Sequence, residues 1–379
     1  MACTYGFLST HPPTQCGLAT FNSALAAHLT RGGTSGGIVR VAAEGDDIRL
    51  LPEVVHTWAP GGPGGWQAAA SALCDFDVAI VQHEYGIYPG ANGRDVLPLI
   101  RSLTVPVIVV LHTVLTGPTV AQRALLEQIV AAADAIVTMT GTARDRLLAG
   151  YRVDAGKVSV IPHGAPDHTR VRARRRLRPH LLTWGLLGPG KGIEWALRAL
   201  ALLTDLTPPP AYTVAGKTHP KVLEFQGEAY RDSLFEISER LGISGAVRFD
   251  PLYRDEASLR RLVRSADIVV LPYDSPEQVT SGVLIEAVAA GVPVVATSFP
   301  HAVELLSGGP GLLVPHGDPV ALAAAIRRVI TEPGLAGELA ARTQALVPAL
   351  LWPAVAARYH VLARSLLAER PVAVAAALP

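Results

Sequence analysis

Residues 268–291 read IVVLPYDSPEQVTSGVLIEAVAAG, and the fold of the whole chain follows from how this stretch is read. Ile268 to Pro272 are short, β-branched and closed by proline, the pattern of a strand buried in a parallel sheet. After a polar loop, Thr280, Ser281 and Gly282 supply two capping hydroxyls and a small residue where an apolar helix should begin. Such a start favours an anion, because its N–H groups lack partners, its dipole end is positive, and Gly282 permits close approach. Glu286 stands four residues after Gly282 on the same helical face, where its carboxylate can accept hydrogen bonds from hydroxyls beside a bound phosphate. A diphosphate attached to a ribose satisfies both features. An ordinary strand–loop–helix unit with a solvated Glu fits the stretch equally well.

The segment resembles the signature of retaining family-4 glycosyltransferases: an acidic residue, a Gly-containing loop, and a Glu eight positions on. The resemblance implies the GT-B fold, an α/β architecture of two doubly wound Rossmann-like domains facing a central cleft. It implies that Glu286 holds the donor ribose and that the loop at Thr280, Ser281 and Gly282 holds phosphate. The first acid departs from the pattern. Its position is Gln278, with Glu277 one place away, so Gln278, Glu277 or both would contact the sugar hydroxyls.

A chain of 379 residues suits two domains, and 49% apolar with 17% charged residues makes both globular. A net charge of +1 gives no global attraction to nucleic acid or to an anionic membrane, so anion recognition must be local. Cys3, Cys16 and Cys74 are scattered without metal spacing and point to a reducing, cytoplasmic setting. The first residues show neither a basic n-region nor an apolar core, and no run reaches membrane-spanning length. The expectation is a soluble cytoplasmic protein.

The amino-terminal half alternates strands and helices, as a doubly wound parallel sheet requires. Tyr5 to Ser9 form a strand, a loop ends at Gly17, and a helix runs from about Thr20 to Leu29. Strands follow at Ile38–Ala42, Val78–Gln82, Ile108–Leu111, Ala135–Thr138 and Val158–Ile161. Helices fall near Gln67–Leu73, Asp95–Leu103, Val120–Ala132 and Thr142–Ala149. Ligands of such sheets gather at the carboxyl ends of the strands. His83-Glu84-Tyr85 and His112 stand there, although a lone histidine after a strand is more often structural than catalytic. The resemblance implies that His112 contacts the donor sugar and that the Gly17 backbone meets the diphosphate; a tight turn would also explain that glycine. Gln15, His83, Glu84 and Tyr85 are candidates for the acceptor side. Asp75-Phe76-Asp77 has the form of a metal-binding D-x-D, but it precedes a strand and reads as a polar turn; no metal site is expected.

Residues 1–165 are thus read as the acceptor-side domain and 166–180 as a linker, crowded with Arg170, Arg172, Arg174, Arg175, Arg176 and Arg178. The cluster reads as a solvated hinge, or more sharply as a dock for an acidic partner or anionic headgroups. Residues 181–347 are read as the second domain, which the resemblance implies binds the nucleotide sugar. Its first strand, Leu181–Trp184, leads into Gly185-Leu-Leu-Gly-Pro-Gly-Lys-Gly192, a near match to a Walker A loop whose final hydroxyl is replaced by Gly192. The family has its own Arg and Lys here at the donor diphosphate. Lys191 matches the Lys, beside Gly188 and Gly190, whereas Leu186 stands at the Arg position and Lys217, Lys221 or an arginine would have to compensate. Strands at Tyr212–Ala215 and Val247–Phe249 flank one helix over Glu224–Leu241, and a helix at Ala257–Ser265 precedes the opening stretch. Beyond it come strands Val292–Thr297 and Leu312–Pro315, and a helix start at Pro319. Residues 348–379 carry a breaker at Pro348, a last helix Trp352–Leu367, which the resemblance implies crosses back to the first domain, and a frayed tail Pro371–Pro379.

The resemblance implies a retaining glycosyltransferase that moves a hexosyl group from a nucleotide-diphosphate sugar to a hydroxyl acceptor by front-face displacement. Neither cofactor nor metal is called for, since Lys191 and a helix dipole neutralise the leaving phosphate. Two rivals are a catalytically impaired nucleotide-sugar-binding protein, suggested by Leu186 and Gln278, and a nucleoside triphosphatase built on the Lys191 loop.

Overall fold

The computed structural model describes residues 3–43, 51–62, 64–169 and 177–369. They gather into two compact units, one running to Pro162 and resuming at Trp352, the other His163–Leu351. Arg170, Arg172, Arg174, Arg175 and Arg176 of the basic stretch, and the tail Pro371–Pro379, lie outside the described residues.

The first unit begins β1 (Tyr5–Ser9), α1 (Gly17–Leu29), β2 (Gly36–Val41), β3 (Val54–Trp58), α2 (Gly65–Cys74) and β4 (Val78–His83). It continues α3 (Val96–Ser102), β5 (Val107–Leu111), α4 (Val120–Ala132), β6 (Ala135–Thr138), α5 (Gly141–Gly150) and β7 (Val158–Val160). Its strands are parallel in the order β3-β2-β1-β4-β5-β6-β7. Every residue of β1, β4, β5 and β6 is buried, as central strands covered on both faces must be. The order reverses between β1 and β4, so the loops leaving those strands border the place where such sheets hold ligands. The helix α1 begins at Gly17, earlier than expected, because Cys16 Sγ takes the cap and accepts from the Ala19 N–H. The half-exposed edge strand β3 lacks the apolar run that betrays a central strand and does not show in the sequence. Asp77 accepts from the Thr4 N–H at 2.8 Å and from its hydroxyl, tying the amino ends of β1 and β4 together, the work of a polar turn.

The second unit contains β8 (His180–Trp184), α6 (Ile193–Ala201), β9 (Ala211–Ala215), α7 (Pro220–Gln226), α8 (Ala229–Arg240), β10 (Val247–Asp250), α9 (Glu256–Val263) and β11 (Ile268–Leu271). Then come α10 (Gly282–Ala289), β12 (Val294–Thr297), α11 (Pro300–Leu306), β13 (Gly311–Val314), α12 (Pro319–Thr331), α13 (Leu335–Gln344) and α14 (Val347–Leu350). The parallel order is β10-β9-β8-β11-β12-β13, with the reversal between β8 and β11. The single helix expected over 224–241 is two, because Gly227 at φ 60°, ψ −142° closes α7 before α8 starts. Pro348 does not break a helix; it sits in the first turn of α14, where its missing N–H leaves no bond unmade. The last helix, α15 (Trp352–Glu369), belongs to the first unit. Trp352 packs edge-on against Phe21 at 5.2 Å and stacks on His28, both on α1. Among the described residues no helix is long and apolar enough to cross a membrane.

Candidate functional site

In the second unit the reversal of strand order places the β8–α6 loop beside the β11–α10 loop, and the backbone locks them together. Gly192, in the left-handed region at φ 63°, lies so close to the exit of β11 that a Cβ would stand 1.8 Å from the Pro272 carbonyl oxygen. The Asp274 N–H donates to the Gly190 carbonyl at 2.9 Å. On the other side the Leu187 N–H donates to Lys217 O and the His219 N–H to Leu187 O, each at 2.8 Å, which adds the β9 exit loop. Three strand exits thus form one rigid rim. From its centre the Lys191 ammonium reaches across to the Tyr273 ring, 4.3 Å from its centroid. Gly188 packs against Val222, while Gly190 takes φ 86°.

The start of α10 is built more elaborately than its sequence shows. Ser281 Oγ caps the helix by accepting from the Leu284 N–H at 3.2 Å. The Ser281 N–H itself donates to His301 Nδ1 at 2.8 Å, which leaves Nε2 as the protonated nitrogen of that neutral ring. The N–H groups of Gly282 and Val283 then open the helix. Gly282 is pressed against a second imidazole: a Cβ there would stand 2.7 Å from His163 Nε2. His163 Nδ1 donates to the Gly164 carbonyl at 2.7 Å, so its Nε2 carries the lone pair. Burial pushes both histidines down to about 4, so both are neutral at physiological pH. Gln278 Nε2 donates to the Thr280 carbonyl at 2.9 Å, and the main-chain carbonyl of Gln278 accepts from the His301 N–H. Thr280 Oγ1 is buried without a hydrogen-bond partner. Half-buried Glu277 stands in the same turn as Gln278.

Glu286 lies one turn into α10, with its side chain 15% exposed. Burial raises its pKa to about 7, and the charge of Glu256 adds to the rise; a hydrogen bond with Trp184 and the charge of Arg260 oppose it. The carboxyl therefore hovers between acid and base at neutral pH. His168 Nε2 stands 3.7 Å from Glu286 Oε1, too far for a hydrogen bond.

The first unit arranges its candidates at the exits of β1, β4 and β5. His112 Nε2 lies 2.8 Å from Gln82 Oε1, and its ring meets Phe21 edge-on at 5.0 Å. Glu84 is engaged by both oxygens, accepting from the Tyr85 N–H and the Thr113 hydroxyl, and so bridges the β4 and β5 exits. His83 is buried, held near 4 by desolvation, and packs edge-on against Tyr85. Gln15 and Gly17 are exposed, and a Cβ on Gly17 would meet nothing within 4 Å. Since Gly17 is not at positive φ either, a tight turn does not account for that glycine.

Sequence reasoning missed His163, His168, His301, Trp184 and Tyr273. His163 follows β7 as His112 follows β5, so the rule that post-strand residues face ligands could have found it. The others are recognisable only once the sheet order puts their loops together. Among the described residues no group of three or more His, Cys, Asp or Glu could hold a metal ion.

Two sequence families match in tandem: Glycosyltransferase Family 4 over residues 17–168 and Glycosyl transferases group 1 over residues 178–332. The D-inositol 3-phosphate glycosyltransferase of Streptomyces scabiei is 31% identical over 353 residues, covering 82% of this chain and 77% of that protein. Its namesake from Streptomyces avermitilis is 33% identical over 229 residues, where the match spans 56% of this chain and only about half, 47%, of the relative. Among solved structures, sucrose-phosphate synthase from Thermosynechococcus elongatus superposes with TM-score 0.78 at 20% identity, over 97% of this chain and all of that one. HepE of Anabaena, solved with UDP and glucose, gives 0.75 at 19%, over 96% and 100%. The two parallel α/β units and these neighbours establish the GT-B fold. The chain belongs to the family-4, group 1 glycosyltransferases.

Proposed function

We propose that this chain is a retaining, metal-independent glycosyltransferase whose second unit binds a UDP- or GDP-hexose. The observation that carries the reading is the pairing, at one switch point, of the opened α10 amino terminus with Glu286 one turn behind it and Lys191 on the facing rim. In this reading the diphosphate lies at the N–H groups of Gly282 and Val283, with Ser281 and Thr280 beside it and the Lys191 ammonium as counter-charge. Gly188, packed on Val222, and Gly190, at positive φ, shape the loop that carries Lys191 towards the diphosphate. Glu286 accepts hydrogen bonds from the ribose hydroxyls. Gln278 turns its side-chain donor back onto the loop, which leaves its Oε1 for sugar hydroxyls, with Glu277 as the neighbouring acid. In the first unit, His112 contacts the transferred sugar and Gly17 the diphosphate; Gln15, His83, Glu84 and Tyr85 serve the acceptor.

Bond exchange on the front face needs the departing phosphate to be stabilised and to accept the acceptor proton, so fixed N–H groups and Lys191 supply the main catalytic term. The curated relatives' names make a phosphorylated polyol the first acceptor to try. With Leu186 at the usual Arg position, Lys191 carries the neutralising charge without that partner, which keeps the impaired, nucleotide-sugar-binding reading in view.

Thermal shifts test the reading: UDP, GDP and ADP, their hexose conjugates, and ATP with Mg²⁺. A ligand at 100 times its Kd stabilises by about 2.7 kcal/mol, several degrees of Tm. A response to one sugar nucleotide names the donor. Silence from all of them with a response to ATP and Mg²⁺ would overturn it. If donor binds but no hydrolysis or transfer responds to Glu286→Ala, the binding-protein reading wins.

A further inference from the structure

Behind Glu286 lies a group that the donor site as described does not use. His168 comes from the stretch that opens the second unit, and its side chain is 2% exposed. Neither ring nitrogen has a hydrogen-bond partner. Leaving two such atoms buried and unpaired is costly, and a site that keeps them should use them. The stretch is anchored, since the Asp167 carbonyl accepts from Arg260 Nη1 at 3.2 Å and Asp167 Oδ1 accepts from the Thr169 N–H at 2.9 Å. One ring atom, Nε2, faces Glu286 Oε1 at 3.7 Å, less than an ångström beyond bonding distance.

We propose that His168 is a positioning residue for Glu286: on donor binding its Nε2–H closes onto Oε1 and fixes the carboxylate, leaving the remaining lone pairs for the two ribose hydroxyls. This rests on the reading of Glu286 as the ribose ligand. The imidazole suits the task because no other bond of the protein fixes its tautomer. With Glu286 protonated, Nε2 accepts from the carboxyl; with Glu286 ionised, Nε2–H donates to it, and the proton on the ring moves to match. Binding a ribose through a carboxylate demands the second state, so donor binding and loss of the Glu286 proton are coupled. The groups facing the carboxyl are His168, the Trp184 indole of β8, and Glu256 and Arg260 of α9. His168 itself does not charge in the working range. Burial, then the charges of Arg260 and Arg264, push it down to about 4, against a smaller opposing pull from Asp167.

The test is calorimetric titration of the full chain with UDP from pH 5.5 to 8.5, on the wild type and on His168→Leu, His168→Gln and Glu286→Ala. Wild-type affinity should fall on the acid side. His168→Leu, without the donor, should weaken binding about tenfold at pH 7.5 and move the acid limb upward by at least half a pH unit. His168→Gln, which keeps an N–H donor, should come back to within about threefold. Should His168→Leu misfold, the wild type and His168→Gln still decide: ¹⁵N-histidine spectra of the wild type should show one ring settling as the Nε2–H tautomer when UDP is added, a signal missing in His168→Gln. An unmoved acid limb in a folded His168→Leu, or no tautomer change in the wild type, refutes the role of His168 while a weak Glu286→Ala keeps the donor site. UDP binding that ignores Glu286→Ala sinks the ribose reading and this inference with it.

Discussion

Replacing Lys191 by Ala separates its two partners, the Tyr273 ring and a donor phosphate. In the free protein the ammonium lies 4.3 Å from the ring centroid in a half-buried setting. A cation–π contact of that kind contributes about 0.5–1 kcal/mol, so Lys191→Ala should move Tm by only a few degrees. A charge-assisted bond to phosphate is worth about 1.5–3 kcal/mol, or roughly 10- to 150-fold in Kd. UMP lacks the second phosphate, so it reports every other contact of the nucleotide. Calorimetry should then find UDP weakened by roughly 10- to 100-fold and UMP by less than about threefold, with the UDP loss shrinking as salt rises. Charge grows on that phosphate as the sugar leaves, so turnover should fall by at least about 100-fold. Equal losses for UMP and UDP would place Lys191 elsewhere on the nucleotide, and an unchanged turnover would remove it from the mechanism.

Glu286→Gln should raise stability at pH 8 while lowering donor affinity. A carboxyl whose pKa is raised to about 7 binds more protons folded than unfolded between its unfolded value and 7, so its contribution is full at low pH and is lost as pH rises through that window. The loss is worth about 3 kcal/mol, and the variant should flatten the Tm–pH curve between about 4.5 and 7, the window in which the wild type loses stability; an unchanged curve would show that the carboxyl is not desolvated. The histidines shift the other way. His83, His163, His168 and His301 are held near 4, so their contribution is intact above about 6.5 and is lost as pH falls through 4, and Tm should drop steeply in acid. His301→Gln should soften that drop. Gly282→Ala drives a methyl into His163 and should cost about 1–3 kcal/mol by overpacking, measured by urea unfolding; a neutral result would mean the ring swings away freely.

The sequence made the strands legible because central parallel strands must be apolar on both faces: Ala135–Thr138 emerged residue for residue. It hid β3, whose exposed edge relaxes that demand, and it ran α7 and α8 together because Gly227 looks like any glycine until its φ is known. Lys191 and Glu286 were visible as members of local patterns, a loop before a helix and a helix face. His163, His168 and His301 were not, because their meaning is set by what the sheet order brings against them. From a loop after β7 and the start of α11, two of them pack on the first turn of α10 and use one of its N–H groups. With the Ser281 N–H bound to His301 and the Leu284 N–H capped by Ser281, the α10 terminus offers an anion only the N–H groups of Gly282 and Val283 within its first turn. Two donors hold one phosphate and not two. The second phosphate of a diphosphate then has to find its charge on the facing rim, and among the side chains lining that rim Lys191 is the cation already lying across it.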